Sequence, residues 1–177
     1  MSNTTLSKEI IRQSLLRFNE NCLRIEKCLE DLSDVEIWHS SNVSSNSIGN
    51  LMVHLAGNIT QYIISGIGNE EDTRSRDEEF SINGGMSKVD IQSHLISACE
   101  KAKKIIMGMT IDDILEYRSV QGFKLTGFGI LLHVIEHFSY HTGQIASLTK
   151  ILKNEDLGFY SGFDLNVKNI PQEEIRK

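Results

Sequence analysis

Steps of four and three residues separate Ile11, Leu15, Phe18, Cys22, Ile25, Leu29 and Leu32. That spacing is one seam of a helix with 3.6 residues per turn. Lys8, Arg12, Glu20, Arg24, Lys27 and Glu30 occupy the other faces, so a bundle helix is predicted over residues 1–33. Ser33-Asp34 ends it. Asp34-Val35-Glu36-Ile37-Trp38 reads as a turn with one buried aromatic, and polar loop follows to Ser45. A second helix is predicted over 46–66, with Asn46 or Ser47 as its cap. Ile48, Leu51, Leu55, Ile59, Tyr62 and Ile63 form its packed side, and His54, Asn58 and Gln61 a polar stripe at i, i+4, i+7 beside it.

Residues 67–86 form a long, charge-rich connection closed by Gly84-Gly85. Such a loop is unusual between helices that merely turn back on each other. A third helix is predicted over 87–107, with Val89, Ile91, Leu95, Ile96, Cys99, Ala102, Ile105 and Ile106 as its apolar set. Thr110–Thr126 reads as irregular, with a helical turn at Asp112 to Leu115 and an extended piece near Tyr117 to Val120. The fourth helix is predicted over 127–153, with Leu131, Val134, Ile135, Phe138, Ile145, Leu148 and Leu152 inward. Its seam 134, 138, 141, 145, 148, 152 has one polar member, His141. The tail, 154–177, is apolar enough to pack over the bundle as loop.

Four long helices in one domain spanning 1–177 predict an all-α four-helix bundle. A twenty-residue connection reaches about 66 Å when extended, against about 30 Å for a twenty-residue helix. It can cross the whole bundle, which leaves helices two and three parallel and the topology up-down-down-up.

Composition narrows the function classes. Eighteen Lys+Arg against 24 Asp+Glu give a net charge of −6, and no basic block is present. Nucleic acid and anionic membrane surfaces are therefore not expected partners. The N-terminus has no apolar segment of a leader, and no window approaches eighteen consecutive apolar residues, so a soluble cytoplasmic protein is expected. Cys22, Cys28 and Cys99 are odd in number and lack C-x-x-C spacing, which indicates neither a disulfide framework nor a zinc knuckle. The single proline, Pro171, stands beyond the fourth helix.

Three of the six histidines, His133, His137 and His141, recur every four residues on the fourth helix. A pair at i, i+4 faces one way and can hold one transition metal. The outer two lie about 12 Å apart along the axis, so one pair must be chosen. The other histidine flanked by a packed helical face is His54. It lies twelve residues before Gly66, or about 18 Å at 1.5 Å per residue. If helix four starts beside that end and runs antiparallel, the matching depth is near residue 139, between His137 and His141. A parallel arrangement would select His133 with His137. The long crossover favours the first case. A lone histidine on a half-apolar face is more often a hydrogen-bonded core residue, but His141 on a seam would be costly to bury without a partner. His39 and His94 are assigned to surface or loop.

His54 within Ile48-Gly49-Asn50-Leu51-Met52-Val53-His54-Leu55-Ala56-Gly57-Asn58, and the later His137-x-x-x-His141-x-Gly143-Gln144-Ile145, resemble the DinB/YfiT-like superfamily of metal-binding four-helix bundles. The resemblance extends from helix one through helix four and includes the turn Leu32 to Trp38. It implies an up-down-down-up bundle with a divalent ion, zinc, nickel or manganese, on His54, His137 and His141. It also implies a metal-dependent thiol S-transferase or hydrolase-type activity, since the characterised branch includes bacillithiol and mycothiol S-transferases and a mycothiol-dependent isomerase. The expected partners are a small-molecule substrate, a low-molecular-weight thiol among them, and a second copy of the chain in a homodimer.

His133-x-x-Glu136-His137 also fits the H-x-x-E-H pattern of inverted zinc peptidases. Those require a larger α/β domain and a downstream acidic ligand, and only forty residues follow His137. Glu136 is read as a solvated or interhelical charge. Gln144 and Asn58, one turn beyond His141 and His54, are candidates to accept the second N–H of a ligand imidazole. Gly143 is expected to permit a close approach by a neighbouring segment. Cys22 and Cys99, on apolar seams, are poor nucleophiles because a buried thiol stays protonated. Two readings stay open: a metal-dependent enzyme, or a non-catalytic metal-binding or dimerisation bundle.

Overall fold

The computed structural model describes residues 3–170, so Pro171 and the end of the tail lie outside the described residues. The elements are α1 (Asn3–Leu29), α2 (Asp34–Ile37), α3 (Ile48–Ile59) continuing into a π-helical segment (Thr60–Ser65), α4 (Arg76–Ser81), α5 (Lys88–Gly108), α6 (Ile111–Leu115), the strands β1 (Tyr117–Val120) and β2 (Phe123–Thr126), and α7 (Gly127–Lys153). The fold is mostly helical with one small antiparallel hairpin. Among the described residues, no helix is long and apolar enough to cross a membrane.

The periodic apolar positions make one continuous core. α1 packs against α5 and α7, and α3 against the same two helices. Phe18 of α1 meets Phe138 of α7 edge-to-face at 5.1 Å between ring centroids. Lys88, at the start of α5, points its ammonium at the end of α1, donating to the carbonyls of Leu29 at 3.1 Å and Leu32 at 2.7 Å. Leu29 O, which also accepts from Leu32 N at 3.2 Å, is one of the last carbonyls of α1 that lack a partner within the helix, and a cation favours the negative end of the helix dipole. Ser47 rather than Asn46 caps α3: its hydroxyl accepts from the Asn50 amide, and Asn50 returns the bond to the Ser47 amide.

The structure departs from the sequence reading at several places. Ser33 does not end α1, which stops at Leu29, but caps the short α2. There Ile37 is fully buried, whereas Trp38 is half-buried with its indole N–H donating to Met86 O at 2.9 Å. Val89 and Ile96 of α5 face outward. The 67–86 connection contains α4; within 110–126 the expected helical turn and extended piece are α6 and β1, and the unexpected part is β2, which pairs with β1 as a hairpin. Gln121 and Gly122 take φ of 51° and 80° in the two-residue turn, the left-handed pair that joins tightly twisted strands. Of the tail, Leu157 and Phe159 pack on the core, while Phe163, Leu165, Val167 and Ile170 are exposed.

A candidate metal centre between α3 and α7

His54 leaves α3 facing α7, and His137 and His141 leave α7 one turn apart. The three imidazoles offer ligand atoms that all lie within 4.8 Å of one another. Nε2 of His54 is 2.9 Å from Nε2 of His137. His54 and His141 are buried and His137 is half-buried. His133 is not in the cluster. Its ring stacks on Tyr62 at 4.2 Å, and its buried Nε2 has no hydrogen-bond partner. His39, His94 and Glu136 are exposed.

Two of the rings are oriented from behind. The Nδ1 of His54 is 2.8 Å from Oε2 of Glu79, on α4 of the crossover. The same carboxylate accepts from Arg74 Nε at 2.7 Å and Nη2 at 2.8 Å. An ionised carboxylate only accepts, so His54 donates to it through Nδ1, and in a neutral ring Nε2 is then the atom that carries the lone pair. Burial on its own would push the Glu79 carboxyl up, but the bonds from Arg74 and His54 outweigh it and hold the group below its usual value. On α7, Gln144 Oε1 lies 2.7 Å from His141 Nδ1 and fixes that ring in the same tautomer. Burial lowers the pKa of His141, with Gln144 opposing, and that of His133. His137 is pushed down to about 3, first by burial and then by the neighbouring His141 and His54. The donor set fits a divalent ion: three clustered imidazoles, two of them held from behind by fixed hydrogen bonds at Nδ1.

The crossover supplies what sequence reading missed. Arg74 Nη1 donates to Gln61 Oε1 at 2.9 Å, and Gln61 Nε2 donates to Asp72 at 2.8 Å. Asn50 donates to the carbonyls of Glu79 at 3.0 Å and Ile82 at 2.6 Å, tying α4 to the start of α3. Gly57 makes room for this arrangement, since a Cβ there would collide with the Glu79 carboxylate. Asn58 does not accept from His54 as expected; its Oδ1 is buried without a partner. Nor does Gly143 serve a close approach, because nothing lies within 4 Å of where its Cβ would be. Its value at that position has no explanation in the structure. None of Glu79, Arg74 or Gly57 carried a sequence signal stronger than a charged loop and one helical glycine.

A cavity of about 390 Å³ lies against the cluster. His54, His133 and His137 contribute to one wall and the hairpin residues Gln121 and Phe123 to another; Asn58, Arg74 and Arg76 complete it. Tyr62, in the π-helical segment, donates from its hydroxyl to Gln121 Oε1 at 2.8 Å and so anchors the hairpin turn. A wide turn of this kind is often found beside functional sites.

Residues 5–161 match the family described as "Protein of unknown function (DUF1572)". The chain belongs to the DUF1572 family. This family is DinB-like, and solved DinB-like structures share the fold. A DinB-like protein from Bacillus cereus superposes with a TM-score of 0.63 at 17% identity, covering 78% of this chain and 90% of its own. One from Bacillus subtilis gives 0.61 at 18% identity, with coverage of 86% and 97%. A conserved protein from Enterococcus faecalis gives 0.61 at 16% identity, with coverage of 88% and 99%. No curated protein matches the chain.

Proposed function

We propose that this DUF1572 protein holds a divalent metal ion, zinc, nickel or manganese, on Nε2 of His54, His137 and His141. With it, the protein acts on a small molecule as a metal-dependent thiol S-transferase or hydrolase-type enzyme. The observation that carries the reading is the pair of fixed tautomers, His54 on Glu79 and His141 on Gln144, beside a cavity that reaches His54 and His137. A divalent ion held there would supply a Lewis acid that lowers the pKa of a water or thiol toward neutrality. The chain's own contribution is orientation and exclusion of protons. Glu79 and Gln144 keep two rings aimed, and burial keeps His137 neutral at pH 7.

The thiol would come from a cosubstrate. No cysteine lines the cavity; the Cys28 thiol is pushed up to about 11 by burial, and Cys99 is raised by its bond to Cys22 and by burial. Cys22 alone is lowered, by that same bond, and it sits between α1 and α5. A non-catalytic site would be closed by a fourth protein ligand. The nearest carboxylate in contact with the cluster, Glu79, already has both oxygens bound by Arg74 and His54, which favours the enzymatic reading.

An up-down-down-up order of the long helices is part of the proposal. It is supported by Tyr62 facing His133 while His54 faces His137, and by Asn50 joining the crossover just before α5. Bound metal, measured after purification without chelator, should be stoichiometric in wild type and lost in His54→Ala and His137→Ala. Stoichiometric metal in both variants would refute the site. Turnover of a broad electrophile with a panel of low-molecular-weight thiols then tests the reaction, and no rate above background with any thiol would leave the bundle non-catalytic.

A further inference from the structure

The cavity beside the histidines has a charge opposite to that of the protein as a whole. The chain carries a net −6, yet no Asp or Glu lines this cavity, while two arginines do. Arg74 is neutralised internally, its side chain 2% exposed against Glu79. Arg76 is different. It is exposed, its guanidinium lies 4.9 Å from the centroid of the Phe80 ring, and it makes no ion pair among the described residues. An arginine parked on an aromatic face keeps its planar fork of donors available at the edges.

The inner wall is polar as well, since Asn58 and His133 line it beside His54 and His137, and polar groups removed from water need hydrogen-bonding partners, so a polar occupant suits the cavity better than an apolar one. Its volume of about 390 Å³ corresponds to about a dozen water volumes at roughly 30 Å³ each, the lower part of the range for small-molecule sites.

We propose that this cavity binds a small organic oxyanion, a carboxylate or phosphate monoester, whose anionic group is held by Arg76 while the rest of the molecule reaches the His54–His137 edge. The proposal names the substrate class of the site and rests on the reading of the histidine cluster as a reaction centre. Arg76 gives the ligand its orientation, with the charged end at the mouth and the reactive end toward the imidazoles. Charged hydrogen bonds of this kind are worth a factor of about ten or more, less at an exposed edge in high salt.

The test uses protein as purified, with metal content measured on the same sample, and binding followed by calorimetry at low ionic strength. Glutarate and phenyl phosphate are the anionic probes and glutaramide is the neutral control. At least one anion should bind more tightly than glutaramide, and the tighter of the two identifies the anionic group. Its affinity should fall about ten-fold in Arg76→Gln, be largely retained in Arg76→Lys, and be unchanged in Lys104→Gln, an exposed cation of α5 outside the cavity. Equal binding of glutaramide, no binding of either anion, or less than a three-fold loss in Arg76→Gln overturns the proposal; the last result would describe anions held by the metal alone. Arg76-dependent binding in a sample without metal would instead overturn the metal reading and leave the anion site standing.

Discussion

Glu79→Gln should damage both the fold and the site. The wild-type carboxylate takes three bonds, from Arg74 Nε at 2.7 Å, Arg74 Nη2 at 2.8 Å and His54 Nδ1 at 2.8 Å. Both side chains of the ion pair are almost fully withdrawn from water, at 2% and 6% exposure. Taking one charge from a buried pair typically costs about 3–5 kcal/mol, because the remaining ion is left uncompensated. Glutamine keeps the shape and one acceptor, so the low end, about 3 kcal/mol, is expected. In a chain of this size that is a fall in Tm of about 6–12 °C. His54 loses its charged acceptor at the same time, and disturbing the partner of a ligand imidazole weakens metal binding by about 10–100-fold. Urea unfolding of the metal-free wild type, Glu79→Gln, Arg74→Met and the double variant measures the first effect, and competition with a chromophoric chelator the second. The double variant, with neither charge present, should be more stable than the sum of the single losses by about 2 kcal/mol. Additivity within about 0.5 kcal/mol, with unchanged metal affinity, would show that the two side chains neither stabilise each other nor position His54.

Gly57→Ala sets two effects of opposite sign against each other. Alanine in a helix is favoured over glycine by about 1 kcal/mol, but its Cβ would collide with a carboxylate that Arg74 holds in place; forcing such an overpacked contact costs about 1–3 kcal/mol. A lower Tm and weaker metal retention are expected, and a raised Tm would mean that Glu79 is free to move aside. Acid should also destabilise the metal-free protein before any carboxylate titrates. His137 is held down to about 3 by burial and by its neighbouring imidazoles, whereas an unfolded histidine titrates near about 6.5. Between those values the unfolded chain binds more protons, so stability falls as pH drops from about 6.5 toward about 3. His133 and His141, lowered by burial, act in the same direction, and Glu79, held below its usual value, adds to the loss below about 4.5. A urea midpoint that stays flat from pH 7.5 to 5 would contradict this.

The long helices were legible because burial repeats along them. Phe18, Ile25 and Leu29 on α1 and Val134, Phe138 and Ile145 on α7 are buried at the spacing read from the chain. The grouping of His54 with His137 and His141 was legible for a geometric reason, since counting residues from a helix end measures depth. Gln144 followed from the same periodicity. What was hidden lies where charge and burial part company. Glu79 and Arg74 sit in a stretch so rich in charge that it reads as solvated, and their burial depends on Gly57 and Asn50, distant in sequence. Gln121 in a left-handed turn and the π-helical segment gave no periodic signal. The exposed apolar residues of the tail misled in the opposite direction, since composition implied packing that Phe163 and Val167 do not make.

The buried Arg74–Glu79 pair is hard to explain as a stabilising feature of the bundle. Two ions withdrawn from water recover their desolvation cost only with good geometry, and apolar residues of similar volume often serve stability as well or better. This pair meets the geometric condition, with two parallel contacts. It also does something that a leucine could not: it presents a fixed anion to Nδ1 of His54. A neutral acceptor also orients a ring, as Gln144 does for His141, but a carboxylate fixed by two bonds from Arg74 makes the hydrogen bond to His54 charge-assisted and so holds that ring more firmly. The crossover that carries the pair also places Arg76 at the cavity two residues later. The 67–86 connection therefore does two things at once, since it orients His54 through Glu79 and lines the space in front of that ring.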